Sequence, residues 1–191
     1  HTCVVQVFPL PKRKRSQTEG RYINSDIDGS RLLFTPEQSL SIHENRGADI
    51  IMQFDQCSEY GYTHTQAEEA MNLTTRWLER CAAAKSRGDQ VLFPIVQGNL
   101  YEDLRIESVK ATAPFAKCGM AIGGLSVGEP KEVMYKMLDV IRPYYPQNQP
   151  IYIMGVGSHD CIVEAVLAAI DRFAYCVPAH TRRHQPACIC R

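Results

Sequence analysis

Short apolar runs alternate with longer amphipathic stretches along most of the chain. The apolar runs predict four buried strands, at residues 49–54, 91–96, 119–122 and 151–154. The stretches that follow them have apolar residues at helical spacing and predict helices at residues 64–87, 102–113, 131–141 and 158–170. This order predicts a parallel sheet with helical crossovers. Periodicity alone leaves open whether that sheet is an open, doubly wound one or a closed (β/α) barrel.

The first part of the chain has a different pattern. Residues 9–18 are polar and basic and predict a loop. Residues 21–25 and 28–34 predict two short strands joined by an Asp-Gly turn, which is a strong hairpin signal. Thr35 stands in the N-cap position of a helix that is predicted to run to about Asn45.

The composition is that of an ordinary globular protein, with 45% hydrophobic and 22% charged residues in 191. The formal net charge is zero, so no overall basic field indicates nucleic acid. No apolar run approaches the roughly 18 residues that span a bilayer, which predicts no membrane segment. The first residue is His1 rather than Met, and we therefore expect the sequence to be a fragment.

The cysteines are too few for a secreted disulfide scaffold. There are eight, well under the roughly 8–10% of residues that marks such chains. Most stand singly within apolar segments, which predicts reduced, buried thiols and a cytoplasmic protein. The single cysteines are Cys57, Cys81, Cys118, Cys161 and Cys176.

Polar and glycine residues follow each predicted strand, and in a parallel sheet they would share one edge. They offer a carboxylate acceptor, an amide and exposed backbone N–H groups, with Glu129 nearby. Such a set suits a flat heterocycle with adjacent donors and acceptors, and it lacks the basic groups that a free phosphate would want. Taken singly, Asp55 could also be a helix cap, Gln97 a loop amide and Gly124 a turn residue. The residues are Asp55, Gln97, Gly123, Gly124 and Gly155.

Five motifs in this order resemble the tRNA-guanine transglycosylases, also called queuine tRNA-ribosyltransferases. They are Asp28-Gly29-Ser30 with Pro36-Glu37, Gly47 to Met52 with Phe54-Asp55, Val96-Gln97-Gly98, Ala121 to Glu129, and Tyr152 to Gly157. The resemblance implies a (β/α)8 TIM barrel, of which residues 1–173 would supply the middle and later strands. It also implies exchange of guanine in a tRNA anticodon for queuine or a 7-deazaguanine precursor.

The resemblance assigns expected roles by position. Asp55 is expected to accept from the N1–H and amino edge of a guanine-like base, and Gln97 and the Gly124 N–H to donate to its carbonyl oxygen. Gly123, Met154 and Gly155 are expected to line the same pocket. The residues expected to contact tRNA are Gly155, Val156, Gly157, Ser158, His159, Asp160, Cys161, Arg182 and Arg183.

The chain departs from the family at both catalytic positions. His1 stands where the family has an acid/base Asp. Ala174 stands at the position of the nucleophilic Asp, and a shifted register puts Tyr175 there instead. Neither catalytic carboxylate is therefore intact, and we expect the chain as given to be inactive. A non-catalytic homologue that binds the base and tRNA, or a truncated inactive product, is the alternative function.

The end of the sequence departs as well. Cys188-Ile189-Cys190 echoes half of the family's zinc motif, but a third Cys and a following His are missing, so four-coordinate zinc is not expected here. The intact family implies zinc and a homodimer or heterodimer. Residues 174–191 are predicted to be a divergent tail without the zinc lobe, as a reading-frame slip or truncation would produce.

Overall fold

The computed structural model describes residues 14–17, 19–24 and 28–173. It contains the predicted alternation of strands and helices. The strands are β1 (Lys14–Gln17), β2 (Gly20–Asn24), β3 (Arg31–Phe34), β4 (Ile50–Met52), β5 (Val91–Phe93), β6 (Ile95–Val96), β7 (Met120–Ile122), β8 (Ile151–Ile153) and β9 (Arg172–Phe173). The helices are α1 (Pro36–Asn45), α2 (His64–Ala84), α3 (Glu102–Thr112), α4 (Lys131–Ile141) and α5 (His159–Leu167).

The parallel pairing predicted from the sequence is confirmed. Strand β4 pairs with β5, and a second sheet has the order β6-β7-β8-β9, with every pair in both sheets parallel. Each helix packs against the next one in chain order, from α1 to α5. The described strands do not close into a barrel.

One predicted strand is divided in two. The run 91–96 was expected to be continuous, but Pro94 separates β5 from β6 and they join different sheets. Proline has no N–H for the ladder. The side chain of Gln53 bridges the break, because its Oε1 accepts from the backbone N–H of Ile95 at 2.7 Å while its own backbone N–H donates to Phe93.

The N-terminal hairpin is confirmed, with β2 antiparallel to β3 from Arg21↔Phe34 to Asn24↔Arg31. The prediction of a loop over residues 9–18 is wrong for Lys14–Gln17, which form β1 and pair antiparallel with β2. Pairing through backbone groups needs no apolar alternation, and charged residues are common on edge strands. Thr35 caps α1 with a full capping box, as expected.

The last helix ends earlier than predicted. Helix α5 stops at Leu167 rather than near residue 170, because Ala169 has a left-handed φ of 63°. The N–H of Ile170 then donates to the carbonyl of Ala165, which closes the helix end. Ile170 is buried beyond the helix, so its apolar side chain extended the helical pattern in the sequence without being part of it.

Both faces of the second sheet are buried. On β7, Met120 and Ile122 pack into the large cluster shared with the helices, whereas Ala121 points the other way. The cluster on the side of Ala121 is built from strands and the residues beside them alone. It contains Met52, Phe93, Ile95, Ala121, Tyr152 and Met154.

Candidate functional site

The predicted site residues lie beyond the carboxyl ends of neighbouring parallel strands. Asp55 follows β4, Gln97 follows β6 and Gly123-Gly124 follow β7. The structure brings them together: Nε2 of Gln97 donates to Oδ2 of Asp55 at 2.7 Å. Gln97 is itself held from behind, because its backbone N–H donates to Oγ of Ser108 on α3 at 2.9 Å.

The two glycines lie against the Gln97 side chain. A Cβ atom at Gly124 would lie 2.4 Å from Oε1 of Gln97, and one at Gly123 would lie 2.7 Å from Nε2. Gly124 also has a φ of 63°, which favours glycine. Any side chain here would therefore displace the amide from its place beside the loop.

The electrostatics of the site are set by burial. Burial raises the pKa of the Asp55 carboxyl, although the Arg21 charge and the hydrogen bond from Gln97 act in the opposite direction. Arg21 comes from the hairpin, and its guanidinium donates to the backbone carbonyl of Asp55 at 3.1 Å and to Oε1 of Gln56 at 2.9 Å. The hairpin thus fixes the loop that carries the carboxylate.

A thiol completes the pocket. The backbone N–H of Gly124 faces Sγ of Cys57, and burial raises the pKa of that thiol to about 12, so it is protonated at neutral pH. Oε1 of Gln97 is buried and has no hydrogen-bond partner in the described part of the chain. The site therefore presents an unused amide oxygen and an N–H that meets only a weak sulfur acceptor.

Two neighbouring loops are tied to the pocket. Glu129 accepts hydrogen bonds from the backbone N–H groups of Ser126 and Val127, the latter at 2.8 Å. Oγ of Ser126 donates to the carbonyl of Gly155 at 3.2 Å. Met154, the other expected lining residue, is buried in the strand-built cluster. The expected pocket residues thus converge on one edge.

The segment predicted to contact tRNA is only partly accessible. Gly155, His159 and Asp160 are exposed and Ser158 is half-buried, whereas Val156, Gly157 and Cys161 are buried. Asp160 forms an ion pair with Lys131 of α4. Arg182 and Arg183, and the two catalytic positions His1 and Ala174, lie outside the described residues, as does the tail from residue 174.

Sequence reasoning missed Arg105, the most enclosed charge near the site. Its side chain is fully buried and contacts the Gly123-Gly124 loop. On α3 it shares a buried stripe with Leu104, Ser108 and Val109. That spacing was a usable signal, but a polar residue in a helix ordinarily indicates the solvent face.

The expected burial of Cys118 was wrong, since this thiol is exposed.

In the described residues, no group of three or more His, Cys, Asp or Glu side chains is placed to hold a metal ion. Cys188 and Cys190 lie outside that part of the chain. No helix between residues 28 and 173 is long and apolar enough to cross a membrane.

Comparison with known proteins agrees with the strand-end motifs. The family model described as queuine tRNA-ribosyltransferase matches residues 2–189. The chain belongs to the queuine tRNA-ribosyltransferase family. Among proteins of that name, it is 48% identical to one from Herpetosiphon aurantiacus over 94% of this chain and 46% of that protein.

Two further members of the family give the same result. The queuine tRNA-ribosyltransferase of Desulforamulus reducens is 45% identical over 94% of this chain and 48% of its own length. The queuine tRNA-ribosyltransferase of Deinococcus radiodurans is 44% identical over 93% of this chain and 45% of its own length. The chain therefore spans about half the length of the curated relatives that it matches.

Proposed function

We propose that this chain carries the base-binding site of a tRNA-guanine transglycosylase. The whole protein would exchange guanine in a tRNA anticodon for queuine or a 7-deazaguanine precursor. Family membership supports the reaction class, and the site described above supports the chemistry of the bound base.

The observation that carries the proposal is the contact between Asp55 and Gln97 beside Gly124. The edge of guanine has a carbonyl oxygen next to an N–H and an amino group. An ionised Asp55 can accept from both nitrogen donors, and the Gln97 amide and the Gly124 N–H can donate to the carbonyl. On binding, the base would take the place of the Gln97–Asp55 hydrogen bond and would offer the Gly124 N–H a stronger acceptor than the Cys57 thiol.

The fold supports a partial (β/α)8 barrel as the setting of this site. The helices pack in chain order, and the other face of the sheet is covered by strand side chains alone, as in a barrel interior. Sites on such barrels lie at the carboxyl ends of the strands. The exposed Gly155, His159 and Asp160 lie beyond β8 and are the described residues proposed to meet tRNA.

A second candidate is a homologue that binds the base and tRNA without catalysing the exchange, or an inactive product. It is favoured by His1 and Ala174, because neither provides the carboxylate that the family uses. No covalent step is therefore assigned to residues of this chain. Zinc and a homodimer or heterodimer belong to the proposal for the whole protein, and the described residues do not form a zinc site.

Guanine binding and guanine exchange test the two candidates separately. Calorimetry with guanine should detect binding by the unaltered chain and a large loss with Gln97→Leu. Labelled guanine should enter tRNA with a G-U-N anticodon only when Ala174→Asp and His1→Asp are both introduced, if the second candidate is correct. Exchange by the unaltered chain would instead establish the enzyme and overturn the expected inactivity. Absence of guanine binding would refute the proposed site.

A further inference from the structure

Arg105 is a fully buried cation whose hydrogen bonds go to backbone carbonyls. Its guanidinium donates to Asn99 at 2.6 Å, to Gly123 at 2.7 Å and to Gly124 at 2.7 Å, with a longer contact of 3.4 Å to Val96. Within the described residues no carboxylate lies at ion-pair distance from it. Arg105 therefore joins the loop after β6 to the loop after β7.

Such a residue is unfavourable as a simple core element. Burial of a charge that forms no ion pair destabilises the folded chain, and here burial lowers the pKa of Arg105 to about 10, although the Glu129 carboxylate acts in the opposite direction. An apolar side chain could fill the same space without that penalty. The feature that only a guanidinium provides is a rigid fork of donors that holds several carbonyls at once.

Holding the carbonyls also sets the direction of the N–H groups. In a planar trans peptide the C=O and the following N–H point in opposite directions. Because Arg105 draws the carbonyl of Gly123 toward α3, the N–H of Gly124 points away from α3, and it faces Cys57 in the pocket. The bond from Arg105 to the carbonyl of Gly124 fixes the next peptide in the same way.

We propose that Arg105 is a positioning residue for base recognition, which aims the Gly124 N–H at the carbonyl oxygen of the bound base. This inference rests on the proposed function, because it deepens the account of the same pocket. Arg105 itself does not touch the base in this arrangement. It acts by fixing the Gly123-Gly124 peptide before the base arrives, so that little reorganisation accompanies binding.

The test compares two bases that differ only in the acceptor. Guanine and 6-thioguanine share the N–H and amino edge, but the thione is a much weaker acceptor than the carbonyl. Arg105→Lys keeps a charge and loses the fork, and Arg105→Met loses both. We expect each to weaken guanine binding by about tenfold and 6-thioguanine binding by only about twofold. Arg87→Lys is the matched control, since it alters an arginine that is bidentate to Asp89 before β5, at the end of the strand away from the pocket, and should leave both affinities unchanged.

Several results would overturn the inference. Equal losses for the two bases, or unchanged guanine affinity in both Arg105 variants, would show that Arg105 does not aim a donor at the carbonyl. If the variants do not fold, the amide proton resonance of Gly124 in the unaltered chain still tests whether this N–H meets the carbonyl, as the inference requires. It should shift on saturation with guanine and shift much less with 6-thioguanine, and no shift would refute the inference. Absence of guanine binding by the unaltered chain would refute the proposed function itself, and this inference with it.

Discussion

Nε2 of Gln97 and Oδ2 of Asp55 lie 2.7 Å apart although the two residues are 42 positions apart in the sequence. Strand β4 pairs in parallel with β5, and β6 follows β5 directly after Pro94, so the ends of β4 and β6 lie close enough for the bond to form. Partial burial of Asp55 raises its pKa in the folded chain above the value of a free side chain. Ionisation of this carboxylate, which would bind a base, therefore costs the folded chain stability.

We predict that Asp55→Asn raises the thermal unfolding midpoint by a few degrees at neutral pH and weakens guanine binding at least about tenfold. A raised folded-state pKa means that stability is lost as the pH rises through that pKa, and asparagine avoids this loss. The advantage of the variant should therefore grow as the pH rises above the ordinary Asp pKa and level off once the folded-state carboxyl has ionised.

Asp49→Asn provides the control for this effect, because Asp49 is exposed and precedes β4 rather than following it. Thermal scans across the pH range measure the stability, and calorimetry measures the binding. A variant that is less stable than the unaltered chain at every pH would contradict the prediction.

Gly124→Ala tests the contact between the glycine loop and Gln97. The new Cβ would lie 2.4 Å from Oε1 of Gln97, and the backbone is left-handed. We expect a loss of about 1 kcal/mol in the free energy of unfolding from the backbone, a further loss from the clash, and no measurable guanine binding. Gly29→Ala separates the two causes, since Gly29 has a similar φ of 71° and open space around its Cβ position. Equal effects of the two substitutions on stability would be inconsistent with the clash.

The ion pair between Arg80 and Glu37 joins α2 to α1, with contacts of 2.6 and 2.7 Å. Hydrogen bonding from Arg80 lowers the pKa of Glu37 to about 2. The pair should stabilise the chain above the ordinary Glu pKa and lose that effect as the pH falls toward about 2. Both side chains are about a third or more exposed, so we expect Glu37→Gln to cost only about 0.5 kcal/mol at neutral pH. Denaturant titrations at low and high salt measure this, and a cost that does not shrink in high salt would argue against an ion pair.

Thr35 is the N-cap of α1, and its hydroxyl accepts from the backbone N–H of Gln38 at 3.2 Å. Thr35→Ala should lower the free energy of unfolding by about 1 kcal/mol, because a helix N–H loses its acceptor. Thr65→Ala, at an exposed position in the first turn of α2, should be neutral or slightly stabilising. Urea unfolding of both variants provides the comparison, and a similar cost at the two positions would mean that capping is not the cause.

The sequence was sufficient for elements that rest on local chemistry. The capping box at Thr35 and the apolar runs of β7 and β8 depend on a few adjacent residues, and the structure confirms them. The sequence was insufficient for strands that form through backbone pairing alone. Strand β1 has no apolar pattern, and its pairing with β2 is backbone to backbone.

The pocket residues also divide into those that the sequence predicts and those that it does not. Asp55, Gln97 and Gly124 follow predicted strands, so the parallel order alone was enough to group them. Arg105 and Arg21 could not be assigned, because each is a basic residue that the fold encloses through contacts with distant loops. The spacing of Arg105 with Leu104, Ser108 and Val109 places it on the buried side of α3, but the contacts that enclose its charge form only in the assembled chain.

Gln53 has a structural role although it resembles a ligand-binding residue. Its buried side chain lies close in sequence to the pocket residue Asp55. Its Oε1, however, accepts a hydrogen bond from the backbone N–H of Ile95, which follows Pro94. A screen that ranks positions by invariance and polarity would place Gln53 among the ligand-binding residues. Its substitution by an apolar residue would instead leave the Ile95 N–H without an acceptor and loosen the seam between the two sheets. Selection against substitution of Gln53 would then reflect the connection between the two sheets and not recognition of the base.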